Sequence, residues 1–141
     1  MKISTKGRYA LRLMLDIALN GEAGPVSLRD AAERQEISDK YLEQIVTKLS
    51  RAKLLRSVRG AGGGYLLTRR PEEYTVGEIL RCLEGSLAPV GCAEDAGFCD
   101  RAGRCATAEV WDRIAQAVNQ VVDNITLADL MKRHGEKCSG C

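Results

Sequence analysis

The stretch SLRDAAERQEISDKYLEQIVTKLSRAK, residues 27–53, decides how this chain folds. Ser27 precedes Leu28-Arg29-Asp30, and its hydroxyl suits the N-cap of a short helix running to about Gln35. Glu36-Ile37 leaves room only for a tight turn. Ser38 offers a second cap, and the spacing predicts a longer helix from Asp39 to about Lys53. Its apolar positions Leu42, Ile45, Val46 and Leu49 repeat at i, i+3, i+4, i+7. Two capped helices joined by so short a turn form a helix-turn-helix.

The flanks extend this pattern. Leu54–Val58 and Tyr65–Leu67 are short apolar runs on either side of Arg59-Gly60-Ala61-Gly62-Gly63-Gly64, which predicts a β-hairpin, a wing directly after the helix-turn-helix. Upstream, residues 9–20 predict a helix buried nearly all round. Arg8, Arg12, Asp16 and Asn20 form one narrow polar stripe on it, and Gly21, Gly24 and Pro25 end it. After the break at Arg69-Arg70-Pro71, Thr75-Val76-Gly77-Glu78 reads as a capping box opening a helix to about Glu84. Residues 86–105 show no periodicity and read as a loop rich in Gly, Asp, Ala and Cys.

A final long helix is predicted from about Ala106 to Asn124, with Trp111, Ile114, Ala115, Val118, Val121, Val122 and Ile125 along one stripe. That stripe suits packing against a partner helix. Thr126-Leu127-Ala128-Asp129 starts one more short helix. The expectation is therefore an α+β chain, mainly α. It has a winged helix-turn-helix domain over residues 1–85, a cysteine-rich loop over 86–105, a dimerisation helix with a short terminal helix over 106–134, and a flexible tail over 135–141.

Length and composition bound the function. The 141 residues, 45% of them hydrophobic, suit one core-forming domain with an appendage. No stretch reaches the roughly 18 uninterrupted apolar residues needed to cross a bilayer, and Met1-Lys2-Ile3-Ser4 opens without a signal-peptide cleavage pattern. A soluble cytoplasmic protein with no membrane partner is expected. The net charge of +2 hides an asymmetry: residues 1–70 hold 14 Lys/Arg against 7 Asp/Glu, while residues 71–141 hold 7 against 12. A basic half beside an acidic half points to a polyanion-binding module joined to something else. One histidine and scattered carboxylates offer no acid–base pair, so neither an enzyme nor a small-molecule substrate is expected.

A recognition helix needs reaching side chains near its N-terminus. Here those are Ser38, Asp39, Lys40, Tyr41, Glu43 and Gln44. Gln44 suits bidentate pairing with adenine, and Glu43 can accept a hydrogen bond from cytosine. Lys40, Lys48 and Arg51 suit phosphates. At the wing, Arg59 beside Gly60 sits on a thin loop able to enter a narrow minor groove. The glycine run is a poor phosphate-cradling nucleotide loop, because it lacks the Lys-Ser/Thr ending and leads into a strand.

Six cysteines in a cytosolic chain suggest metal binding or redox chemistry ahead of structural disulfides. Cys92, Cys99 and Cys105 are spaced C-x6-C-x5-C within the irregular loop. Structural zinc sites use tighter pairs. The wide spacing can wrap a larger object such as a 2Fe–2S cluster, with three unrelated thiols as the alternative. A fourth ligand is open among Glu109, Cys82 and His134: Glu109 lies one turn beyond Cys105, Cys82 has helical spacing beside Ile79 and Leu83 that also suits a core position, and His134 lies near the tail. Cys138 and Cys141 form a C-x2-C pair suited to metal or to a disulfide.

Several segments resemble the IscR-like iron–sulfur cluster regulators, within a larger family of winged-helix dimeric regulators. They are Ser4-Thr5-Lys6-Gly7-Arg8-Tyr9-Ala10, Tyr41-Leu42-Glu43-Gln44, Ser57-Val58-Arg59-Gly60, Gly62-Gly63-Gly64-Tyr65-Leu66-Leu67 and Asn124-Ile125-Thr126-Leu127, and the likeness covers about residues 1–131. The resemblance implies a homodimer with crossing C-terminal helices that binds double-stranded DNA. It also implies a 2Fe–2S cluster held by Cys92, Cys99 and Cys105, whose state alters DNA-site choice and so controls cluster-assembly genes. By the same resemblance Glu43 discriminates between site classes and Arg59 serves the wing. Two features depart from the pattern. The position of the usual histidine ligand, three residues after the last cysteine, is Ala108, and the first cysteine gap is one residue longer than usual. A related nitric-oxide sensor uses an acidic residue where Arg8 stands. Two alternatives follow: a cluster-free regulator, read through thiol oxidation, nitric oxide, cysteine supply or a bound partner protein; and a small iron–sulfur electron-transfer protein.

Overall fold

A computed structural model describes residues 2–138. The elements run α1 (Thr5–Asn20), α2 (Leu28–Gln35), α3 (Asp39–Arg51), β1 (Leu55–Val58), β2 (Gly64–Leu67), α4 (Val76–Glu84), α5 (Gly91–Glu94), α6 (Ala108–Val122) and α7 (Leu127–Cys138). The caps fall where side-chain chemistry places them. Ser4, Ser27, Ser38 and Thr75 each accept a hydrogen bond from the backbone N–H three residues on, satisfying donors that the first helical turn leaves open. The turn between α2 and α3 passes through Glu36 in the left-handed region, φ 55°. β1 and β2 are antiparallel, with Leu55 opposite Leu67 and Val58 opposite Gly64, and Val26 adds an isolated bridge to Tyr65. Gly64 is required there: a Cβ would run into the Val26 carbonyl.

The main core gathers Leu13, Met14 and Ile17 of α1, Leu42, Ile45 and Leu49 of α3, Ile79 of α4 and Leu127 of α7. A second cluster forms where Val76, Leu80 and Leu87 meet Val118, Val122 and Ile125. The approach to α4 is laced to the approach to α7 by the Thr75–Thr126 bridge, by Val76 N–H to the Ile125 carbonyl (2.9 Å), and by Leu127 N–H to the Tyr74 carbonyl (3.0 Å). Tyr74 is fully buried. Its hydroxyl donates to the Leu54 carbonyl (2.8 Å) and accepts from the N–H groups of Thr68 (2.8 Å) and Arg69 (3.1 Å), tying together the two strands' outer ends.

Five details differ from the sequence expectations. The first helix begins at Thr5, four residues early, because Ser4 caps it; Ser4 in turn donates its N–H to Glu84 (2.9 Å), and Glu84 packs so closely on Gly7 that a Cβ there would collide. Asp16 is not on an exposed polar stripe but 2% exposed, because Arg34 and Gln35 supply its hydrogen bonds. The Thr75 capping box is half made: Thr75 caps Glu78 N–H, while the Glu78 carboxylate turns to Arg69 (2.6 Å). The 86–105 loop contains α5 and a 3₁₀ turn at Ala102–Arg104. Residues 135–138, expected in a flexible tail, continue α7; Cys141 lies outside the described residues.

Candidate nucleic-acid interface and cysteine loop

α3 is a two-faced helix. Leu42, Ile45, Val46 and Leu49 are buried, whereas Lys40, Glu43, Gln44, Lys48 and Arg51 are exposed. Ser38 is exposed and caps the helix, its Oγ accepting from Tyr41 N–H at 3.2 Å. Tyr41 is half-buried and meets Tyr9 of α1 edge-on, ring centroids 5.6 Å apart. Arg12 lies over the other ring, 5.4 Å from the Tyr9 centroid, and donates to the Gln35 side chain (3.1 Å) and backbone carbonyl. Gln35 in turn donates to Asp16 (3.0 Å). The sequence reading missed this chain of contacts, which seats the start of α3 on α1. The i, i+4 spacing of Arg12 and Asp16 signalled one shared helix face, but nothing in the sequence pairs either residue with Gln35 or Arg34.

Arg59 and Gly60 sit exposed at the hairpin tip, Gly60 with φ 110°. Among the described residues, none of Lys40, Lys48, Arg51 and Arg59 belongs to an ion pair within 4.0 Å. Their charge is not spent internally, as a phosphate-binding surface requires.

The cysteine loop joins α4 to α6. It turns back on itself through Asp95 N–H to Gly91 O, Phe98 N–H to Asp95 O and Ala102 N–H to Cys99 O, and the Phe98 ring lies directly against Gly91. Cys92, Cys99 and Cys105 are all half-buried free thiols. The Thr107 hydroxyl, 3.1 Å from Cys105 Sγ, leads in holding that thiol below its ordinary pKa, helped by backbone N–H groups of Ala108 and Thr107. This donor chemistry fits a thiolate-held group, but among the described residues no three His, Cys, Asp or Glu side chains are gathered as a metal-binding set.

The fourth-ligand candidates separate. Glu109 shares a surface cavity with Cys105 and Asp112. Cys82 packs against the main core with its sulfur 3.6 Å from the Lys48 carbonyl, and burial pushes its thiol pKa up. His134 faces Cys138 on its own helix, 3.5 Å away.

The Rrf2 family, described as iron-dependent transcriptional regulators, matches residues 3–133. The chain belongs to the Rrf2 family. Protein rrf2 of Nitratidesulfovibrio vulgaris is 42% identical over 132 residues, covering 94% of this chain and 88% of that protein. The structure of CymR, the global cysteine regulator of B. subtilis, matches with TM-score 0.79 and 44% identity over 94% of this chain and 98% of its own. IscR of T. potens matches with TM-score 0.80 and 42% identity over 97% and 90%. The winged-helix fold is thereby shown, and the chain is an Rrf2-family transcription regulator that binds DNA. No helix among the described residues is long and apolar enough to cross a membrane.

Although strongly amphipathic, α6 has no fully buried residue. Val118 and Val122 pack on the second cluster, while Ile114 and Val121 of the same stripe, and Val110 beside it, are 36%, 58% and 49% exposed. Arg81 of α4 joins α6 by bonds to Asp123 (2.6 and 3.1 Å) and Asn119 (2.6 Å).

Proposed function

We propose that this Rrf2-family regulator acts as a homodimer and chooses its DNA sites according to the state of a 2Fe–2S cluster at the cysteine loop, controlling cluster-assembly genes. The observation that carries the reading is the loop's place. It hangs between α4, which packs against α3, and α6, whose apolar face one chain leaves uncovered. In this reading a second copy covers Val110, Ile114 and Val121. Each α3 enters a major groove, with Glu43 and Gln44 at base edges and Lys40, Lys48 and Arg51 at phosphates, while Arg59 serves the adjacent minor groove.

Cys92, Cys99 and Cys105 would hold the cluster, with Glu109 the favoured fourth donor because it shares a cavity with Cys105. When bound, such a cluster supplies an oxidisable iron centre crosslinking three points of the loop. The chain's own part is conformational: an ordered loop fixes how α5 sits on α6 and how Arg81 holds Asp123, biasing the dimers that fit one class of site. A cluster-free regulator responding to thiol oxidation or cysteine supply is the second reading, favoured by Ala108 standing where the resemblance expects a histidine ligand.

The test is anaerobic purification with an absorption spectrum, iron and sulfide analysis, and binding to several operators, repeated on Cys92→Ala. The first reading expects a coloured protein whose affinity for some operators alone changes when the cluster is lost. A colourless, iron-free protein overturns it and leaves the second; equal affinity at every operator with and without cluster overturns it as well.

A further inference from the structure

A cavity of about 300 Å³ lies where the end of α1, the wing and α7 meet, and no residue of the cysteine loop lines it. Buried Ile17 and Ala18, half-buried Leu66 and Leu67 of β2, and Met131 of α7 give it an apolar lining. Two exposed charged side chains line the same cavity, Glu22 just past α1 and Arg56 on β1. Among the described residues neither belongs to an ion pair within 4.0 Å. Arg56 stands opposite Leu66 in the hairpin register, so the two share one face of the wing. Glu22 follows the C-terminal end of the 16-residue α1, whose last turn carries no basic side chain. The negative end of that helix dipole therefore acts with the Glu22 carboxylate to favour a cation. Gly21, also on the lining, has ordinary right-handed dihedrals, φ −82°, and a Cβ there would meet only Leu66, at 3.8 Å. The backbone does not call for a glycine at this position; its missing side chain leaves the cavity open.

These features select an occupant. The volume is at the small end of the about 300–1,000 Å³ usual for ligand pockets. A cation alone would leave Arg56 facing it, an anion alone would face Glu22 and the helix end, and a nucleotide brings more negative charge than one guanidinium can meet. A small molecule with one ammonium, one carboxylate and an apolar body matches all three surfaces. We propose that this cavity binds a free α-amino acid with an apolar side chain, its ammonium on Glu22, its carboxylate on Arg56 and its side chain over Ile17, Ala18 and Met131. The occupant is an effector and undergoes no reaction. It joins α1 and α7 to the wing, and Arg59 lies three residues beyond Arg56 toward the hairpin tip, so binding biases how the wing meets DNA. That coupling rests on the reading of Arg59 as a minor-groove contact; the binding site itself does not.

The test is titration calorimetry on the full-length chain without DNA, with L-leucine, L-methionine and L-phenylalanine as probes. At least one should bind saturably, one per chain, with Kd below about 1 mM. For that probe, the analogues lacking the ammonium or the carboxylate (4-methylpentanoate and 3-methylbutylamine in the case of L-leucine) should bind at least tenfold more weakly. Glu22→Gln, Arg56→Gln and Gly21→Leu should each weaken binding at least tenfold with unchanged circular dichroism. No binding by any probe, equal binding of the analogues, or binding indifferent to any of the three substitutions overturns the site. Fluorescence anisotropy on an operator duplex then reads the coupling. Saturating probe should shift the duplex Kd at least fivefold in the unmodified protein, and the same concentration should leave Glu22→Gln unshifted. A bound probe with unchanged duplex affinity overturns the effector role. Because calorimetry is done without DNA and the cavity excludes the cysteine loop, failure of the cluster reading leaves these outcomes as they stand.

Discussion

Arg34 of α2 grips the buried carboxylate of Asp16 on α1 with two hydrogen bonds, Nε to Oδ1 at 2.9 Å and Nη2 to Oδ2 at 2.8 Å. The pair fixes the first helix of the helix-turn-helix against the core helix, and Gln35, bonded to the same carboxylate, passes that constraint to Arg12, Tyr9 and Tyr41. The two partners are unequally exposed, with side-chain values of 40% for Arg34 and 3% for Asp16.

That inequality sets the outcome of mutation. Arg34→Ala strands a buried carboxylate with one remaining side-chain donor and should cost about 2–3 kcal/mol, below the full penalty for a wholly buried pair because Arg34 reaches solvent. Asp16→Asn leaves a guanidinium that water can solvate and should cost less. Urea unfolding of both variants measures this; equal losses would contradict the arrangement.

Tyr74→Phe removes one hydroxyl with three backbone partners around it, the Leu54 carbonyl and the Thr68 and Arg69 N–H groups. Leaving these unsatisfied should cost about 2 kcal/mol. Amide hydrogen exchange at Thr68 and Arg69 should accelerate, since the base of the wing loses its anchor. Unchanged exchange there would show that the hairpin is held by other means.

At the DNA surface, Arg59→Ala and Glu43→Ala should behave differently. Loss of a phosphate- or groove-contacting charge weakens all duplexes and reduces the salt slope by about 0.9. Glu43→Ala should instead compress the difference between operator classes, by about 1–3 kcal/mol at the position it reads. Fluorescence anisotropy across a salt series separates the two behaviours.

The link from α4 to α6 should be pH-sensitive. Hydrogen bonding to Arg81, with its charge in support, holds the Asp123 carboxyl below the usual carboxylate range. A group whose pKa is depressed by folding adds stability above its unfolded pKa, and that increment is lost as pH falls through the folded one. Both side chains are more than a third exposed, so the increment is small and screened by salt. The difference in Tm between the unmodified protein and Asp123→Asn should be largest near neutral pH at low salt and vanish in strong acid. A difference that persists into strong acid would mean that Asp123 acts through packing.

Ile114→Glu combined with Val121→Glu places two charges on the uncovered face of α6. Light scattering should then report a monomer with unchanged helix content and weakened operator binding. A dimer that survives the double change pairs through another surface.

Local chemistry was enough to specify the order of the main helices and the hairpin, though not the short turns of helix within 86–105. The Ser27, Ser38 and Thr75 caps, the i, i+3, i+4, i+7 rows of α3 and the glycine-rich hairpin tip act within a few residues of themselves, so they can be read in one dimension. The exposed face of α3 follows from the same rows, so which of its side chains reach solvent was legible too. The fate of the polar and sulfur-bearing side chains was not. Asp16 is buried because Arg34 arrives from 18 residues away, Glu78 leaves its own cap for Arg69, and Cys82 turns to α3. Burying a charge or a thiol is decided by which partner the folded chain brings within about 3 Å. Such distances are properties of packed helices and have no counterpart in residue spacing.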